Sequence, residues 1–227
     1  MEQQEKPQRC AICGIREATT SDHVPPKGVF PKPRPNDLVT VPSCFQCNNS
    51  SSKQDEEFRV FLSLQLGMET PTTRKLWKEG ALRSLHHNQR LKNHIVNNSK
   101  EVEVRTPAGI YLGKQRAVTM SARAHNSVLD RTVRGLYFHH FGHILGPRVA
   151  CRVAPLKGLS GELEPIIEMM SFGSVGGDSL IYRYGRASDS LLDSIWVLLF
   201  YRRYLVLVET RSQSRSKDIC SQSKSGT

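Results

Sequence analysis

Two Cys-Xaa-Xaa-Cys pairs stand near the start of the chain, Cys10-Ala-Ile-Cys13 and Cys44-Phe-Gln-Cys47, with the run Ser21-Asp22-His23-Val24-Pro25-Pro26-Lys27 between them. Four thiolates at this spacing can close a tetrahedral zinc site and staple two distant loops together. Such a staple brings Asp22 and His23 within reach of Asn48, which directly follows Cys47. A carboxylate, an imidazole and an amide on one metal-pinned frame suit hydrolysis of a phosphodiester. That reaction needs an activated water, stabilisation of charge on a pentavalent phosphorus and help for the departing oxygen. Neutral imidazole titrates near the operating pH, which suits proton transfer. Asp22 and His23 fall on an expected strand, where adjacent side chains point to opposite faces.

Cys10-Ala-Ile-Cys13-Gly14, Asp22-His23-Val24-Pro25-Pro26-Lys27-Gly28 and Val41-Pro42-Ser43-Cys44-Phe45-Gln46-Cys47-Asn48-Asn49 follow one another in a specific order. In this the chain resembles the HNH endonucleases, the zinc-ribbon-bearing branch of the ββα-metal (His-Me finger) nucleases. The likeness covers roughly Cys10 to Phe58, and Ser52-Lys53-Gln54-Asp55-Glu56 belongs to it. The resemblance implies that Asp22 binds a divalent metal and that His23 is the general base. Asn48 stands where the family puts a His or Asn that completes the metal site, with Asn49 the alternative if the register is off by one. An amide is the weaker ligand, so loose binding of a hard ion, Mg²⁺ or Mn²⁺, is expected. Cys10, Cys13, Cys44 and Cys47 hold structural zinc in this reading and take no part in the chemistry. For the family's central asparagine the nearest candidates are Asn36 and Asp37, and neither sits at the usual distance from the second CxxC.

The implied activity is hydrolysis of DNA, with RNA undistinguished by the pattern, and family precedent extends the expectation to defence against phage or foreign DNA. Each element also has a plainer use. Asp22-His23 can form a hydrogen-bonded turn, Asn48 can cap a helix, and the cysteines can build a purely structural ribbon. The rival class is therefore a non-catalytic zinc module that binds nucleic acid or protein.

Composition sets the surroundings. The 227 residues fit one large or two small domains. A formal charge of +11 favours a polyanionic partner, though the basic residues are spread along the chain. Of the six cysteines, Cys151 and Cys220 are solitary, a pattern unlike a secreted disulfide framework. Met1 to Lys6 lacks an apolar signal-like segment, and Ile195 to Tyr201 is too short to span a bilayer. The expectation is a soluble, reduced, cytoplasmic protein without a membrane partner. Its oligomeric state is open.

The elements that must position these residues are an α+β set. Residues 1–9 are expected to be flexible, 10–66 to form the zinc-stapled ββα-metal module, 67–98 a helical connector, and 99–210 a mostly antiparallel α+β region. A disordered basic, Ser-rich tail is expected over 211–227. Short strands are expected near Thr19–Val24 and Leu38–Val41, and a helix opens at Asp55 and ends at Gly67. A second helix from about Pro71 to Ile95 would bury Leu76, Leu82, Leu85 and Leu91. An amphipathic helix over Asn126–Ile144 turns Val128, Leu129, Val133, Leu136 and Tyr137 inward. Strands are expected at Glu101–Thr106, Gly109–Thr119, Val149–Val153, Ser179–Tyr184, Ile195–Leu198 and Tyr204–Val208, with a short helix near Leu163–Met170. Gly173–Gly177 reads as a hairpin or flexible turn. His86-His87 and His139-His140 read as surface pairs. The C-terminal half carries no chemical motif; DNA grip, dimerisation or docking of a protein partner are its expected duties.

Overall fold

The computed structural model describes residues 8–212. Cys220, the first seven residues and the tail beyond Ser212 lie outside the described residues. The protein is a mixed α and β structure of helices and antiparallel sheets, with a four-cysteine cluster near its N-terminus.

Strands β1 (Thr20–His23) and β2 (Thr40–Ser43) pair antiparallel, with Asp22 opposite Val41 and His23 opposite Thr40. A short helix α1 (Phe45–Asn49) follows, and then α2 (Ser52–Leu66). Gly67, with φ of +65°, ends α2 in a conformation that suits glycine. The expected long helix after it is broken. Thr70 and Thr73 form a reciprocal capping box at α3 (Pro71–Lys75). A π turn over Leu76–Ala81 leads into α4 (Leu82–His87), and Asn88 interrupts the chain to cap α5 (Gln89–Asn97). The wider turn rotates every later side chain about the axis relative to a continuous α-helix. Leu82 is consequently 44 % exposed instead of buried, while Leu76, Ala81 and Ser84 face inward.

Strands β3 (Ser99–Arg105) and β4 (Tyr111–Val118) form a separate exposed hairpin. Helix α6 (Ala122–Phe141) starts at the Ser121 cap and stops at Gly142 in the left-handed region. Its five expected core residues are all buried. The remainder is β5 (Val149–Leu156), α7 (Glu164–Glu168), β6 (Ser171–Val175), β7 (Leu180–Arg186), β8 (Ser194–Phe200) and β9 (Tyr204–Ser212). The five strands make one antiparallel sheet in the order β5-β9-β8-β7-β6. Gly173 departs from the expected turn because it sits within β6, where a Cβ would come within 2.3 Å of the Tyr182 ring. Only Gly176 and Gly177, both at positive φ, make the turn.

A single core cluster includes Cys10, Val24, Phe58, Leu62, Val128, Leu136, Trp196 and Val206, so the cysteine-rich segment, α2, α6 and the sheet share one interior. Helix α6 also packs closely on Val24, the residue directly after β1. A Cβ on Gly135 would lie 2.5 Å from Val24 Cγ1. Glycine at 135 is what lets the helix press on the segment that carries Asp22 and His23.

Candidate active site

The two CxxC pairs converge. The sulfurs of Cys10, Cys13, Cys44 and Cys47 lie within 4.8 Å of one another, and together they could hold a metal ion such as zinc. Backbone hydrogen bonds shape both loops. Cys10 N–H donates to Arg16 O at 2.8 Å, Gly14 N–H to Cys10 O at 2.9 Å, and Ala11 N–H crosses to Pro42 O at 2.9 Å. Gly14 has φ of +67°, and a Cβ there would meet Ile144 Cγ2 at 3.1 Å, which seats the first knuckle against the segment after α6. Cys44 caps α1, its Sγ accepting the Cys47 N–H at 3.4 Å. Burial pushes the Cys44 thiol up, but the Cys47 N–H and side chain, with the Arg16 guanidinium, outweigh it and draw it down to about 6. Such a thiol is readily a thiolate, the form that binds metal.

Asp22, His23 and Asn48 line one cleft of about 560 Å³, which also includes Lys27, Arg34, Lys53, Asp55 and Arg59. Strand alternation buries Asp22 and leaves His23 half-buried. One oxygen of Asp22, Oδ1, accepts the His23 backbone N–H at 2.8 Å, while Oδ2 is buried without a hydrogen bond. Burial, and then Lys27, lower the His23 pKa below 6.5, with Asp22 opposing. This favours the neutral imidazole. Asn48 makes both of its side-chain hydrogen bonds through the amide nitrogen, to Thr20 Oγ1 at 3.2 Å and Ser21 O at 3.1 Å. Its side-chain oxygen makes no hydrogen bond among the described residues. Asn49 bonds back to Phe45 O at 3.1 Å and does not line the cleft. Asp37 turns elsewhere, its carboxylate accepting the Gly176 N–H at 2.9 and 3.0 Å and tying the long loop to the sheet.

Two residues at the site had no assigned role in the motif. Arg131, on α6 and 5 % exposed, reaches between two carboxylates: its Nε is 3.7 Å from Asp22 Oδ2 and its Nη2 pairs with Asp55 Oδ1. Burial raises the pKa of both acids, against the pull of Arg131. The signal in the sequence was a charged residue on the apolar face of α6, beside Val128 and Thr132. Asp55 read as the opening of a helix and as part of the HNH-like stretch, without a role in the chemistry.

Asp22 Oδ2 accepts no hydrogen bond but lies 3.7 Å from Arg131 Nε, and Asn48 stands across the same cleft. Among the described residues, the four cysteines are the only clustered set of three or more Cys, His, Asp or Glu ligands. No protein-family model, curated protein or solved structure matches the chain.

Proposed function

We propose that this protein is a metal-dependent endonuclease of HNH type that hydrolyses DNA phosphodiester bonds. The observation that carries the reading is the convergence of Asp22, His23 and Asn48 on one cleft beside the four-cysteine cluster. His23, whose surroundings favour the neutral ring, accepts a proton from water as the water oxygen attacks phosphorus. The bond from phosphorus to the 3′ oxygen breaks in line, and a solvent proton completes the 3′-hydroxyl, leaving a 5′-phosphate. Asp22 and Asn48 would hold Mg²⁺ or Mn²⁺, which supplies charge stabilisation for the phosphorane and the leaving oxygen. The hydrogen bond from the His23 backbone to Asp22 fixes the carboxylate relative to the base. The cysteine site keeps β1 and α1 in register and touches no reacting atom. A setting in phage or foreign-DNA defence rests on the resemblance alone.

A second reading has its own observation. Asp22 is buried beside Arg131, as a purely structural ion pair would be, which favours a zinc module that binds without cutting. Supercoiled plasmid separates the two. Wild type should nick it with Mg²⁺ or Mn²⁺ and not with EDTA, and His23→Ala should fold yet lose the activity. Nicking retained by His23→Ala removes the base assignment.

A further inference from the structure

Arg59 lies in the wall shared by the catalytic cleft and a second cavity of about 390 Å³. Two glycines make room for it. A Cβ at Gly28 would lie 3.0 Å from Arg59 Nη1, and one at Gly80 would lie 3.2 Å from its Cδ. Gly80 belongs to the π turn, the irregularity that breaks the expected long helix, and such turns recur at functional sites.

The guanidinium is poorly compensated. It makes one hydrogen bond among the described residues, from Nη2 to Ser84 Oγ, and its Nε is buried with no acceptor. Burial lowers its pKa despite Glu56 and Asp55. The nearby acids have other partners. Glu56 accepts from Asn88 Nδ2 at 2.7 Å, Glu79 pairs with Lys75 at 3.8 Å, and Asp55 is taken by Arg131. Lys32, Arg34 and Arg83 line the same second cavity. Arg59 is half-buried and its neighbouring acids are engaged by other groups, so an entering anion adds a partner that the guanidinium lacks. Planar guanidinium matches phosphate oxygens with paired N–H donors.

We infer that the second cavity is a phosphate subsite, in which Arg59, with Arg34 and Arg83, grips the phosphodiester next to the one being cut. The bound DNA strand then runs from His23 across Arg59 towards the π turn. This rests on the nuclease reading for the identity of its ligand, and its test is separable from that reading.

A short labelled DNA duplex is titrated against His23→Ala protein, alone and combined with Arg59→Gln or Arg83→Gln, over a range of KCl. Cleavage of the same duplex by wild type is followed in parallel. Arg59→Gln should weaken binding about tenfold and make the salt dependence shallower by about one unit of slope. Arg83 is exposed, so Arg83→Gln keeps the fold and should show the same change of slope more weakly. Unchanged slopes in both variants, or a parent that binds no duplex, overturn the subsite whatever the cleavage gel shows. Arg59-dependent binding without cleavage by wild type upholds the subsite and removes the hydrolytic reading.

Discussion

At the scale of single residues, Arg131 has the largest energetic leverage near the site. It is one buried cation against two carboxylates, with side-chain exposures of 6 % for Arg131, 12 % for Asp22 and 25 % for Asp55. Removing one partner of such a set leaves uncompensated buried charge, at a cost of about 3–5 kcal/mol. Arg131→Met should therefore lower the urea midpoint sharply at neutral pH. Its sign with pH follows from the carboxylates. Without the guanidinium, burial alone holds both pKa values above the ordinary 3.8, so the folded form binds protons more readily than the unfolded chain. The variant should regain stability as pH falls, an upward trend on acidification that urea titrations would read directly. His140 has the opposite sign. It was expected at the surface, yet Nε2 meets Tyr182 Oη at 2.8 Å and Nδ1 meets Tyr184 Oη at 3.0 Å. Burial, with His139, pushes its pKa from 6.5 down to about 4. The neutral ring is the folded form, so its contribution is complete above 6.5 and is lost as pH falls towards 4. The stability difference between wild type and His140→Phe should change over that window and stay flat above it.

Between elements, the contact of α6 with β1 decides where the candidate base and carboxylate stand. Gly135→Ala tests it with two effects of opposite sign. Alanine in a helix interior is favoured over glycine by about 1 kcal/mol. Against this, a methyl placed 2.5 Å from Val24 Cγ1 lies well inside contact distance, and overpacking costs about 1–3 kcal/mol. The second effect should win, with a lower melting temperature and weaker nicking as β1 is displaced. Val24→Ala in the same chain should restore part of the loss, because the two residues touch and their effects are not additive. The π turn shows the same dependence on neighbours. Leucine spacing called for a continuous helix, but Arg59 needs the space above Gly80, and the extra backbone turn accompanies that packing.

For the molecule as a whole, the four-cysteine cluster is built into the shared core, so a metal held there would be coupled to the stability of the whole. Cys10 and Cys44 belong to the same interior as Val128 and Trp196. One bound zinc per chain is expected by elemental analysis. Cys44→Ser, or strong chelation, should release the metal, unfold the segment around β1 and β2, and lower the main thermal transition. Retained zinc with unchanged melting in Cys44→Ser would remove the staple. If the proposed nuclease reading holds, the formal charge of +11 adds long-range attraction for a polyanion, and association with DNA should weaken with added salt even where no single phosphate contact is altered.

Much of this was legible in the residue order, because the decisive signals were local. CxxC spacing placed four sulfurs together, the acids of the first turn and Gly67 bounded α2 to within a few residues, and period-three-and-four apolar positions located the buried face of α6. What stayed hidden depends on residues far apart in sequence. Arg131 meets Asp22 and Asp55 only because α6 crosses α2, and no period or motif in one segment records a partner in another. Arg59 gains its two cavities only when Gly28 and Gly80 close on it from separate elements. Local spacing encodes which atoms can bind a metal or carry a proton; the charge that surrounds them is set by the side chains that tertiary packing brings in from elsewhere.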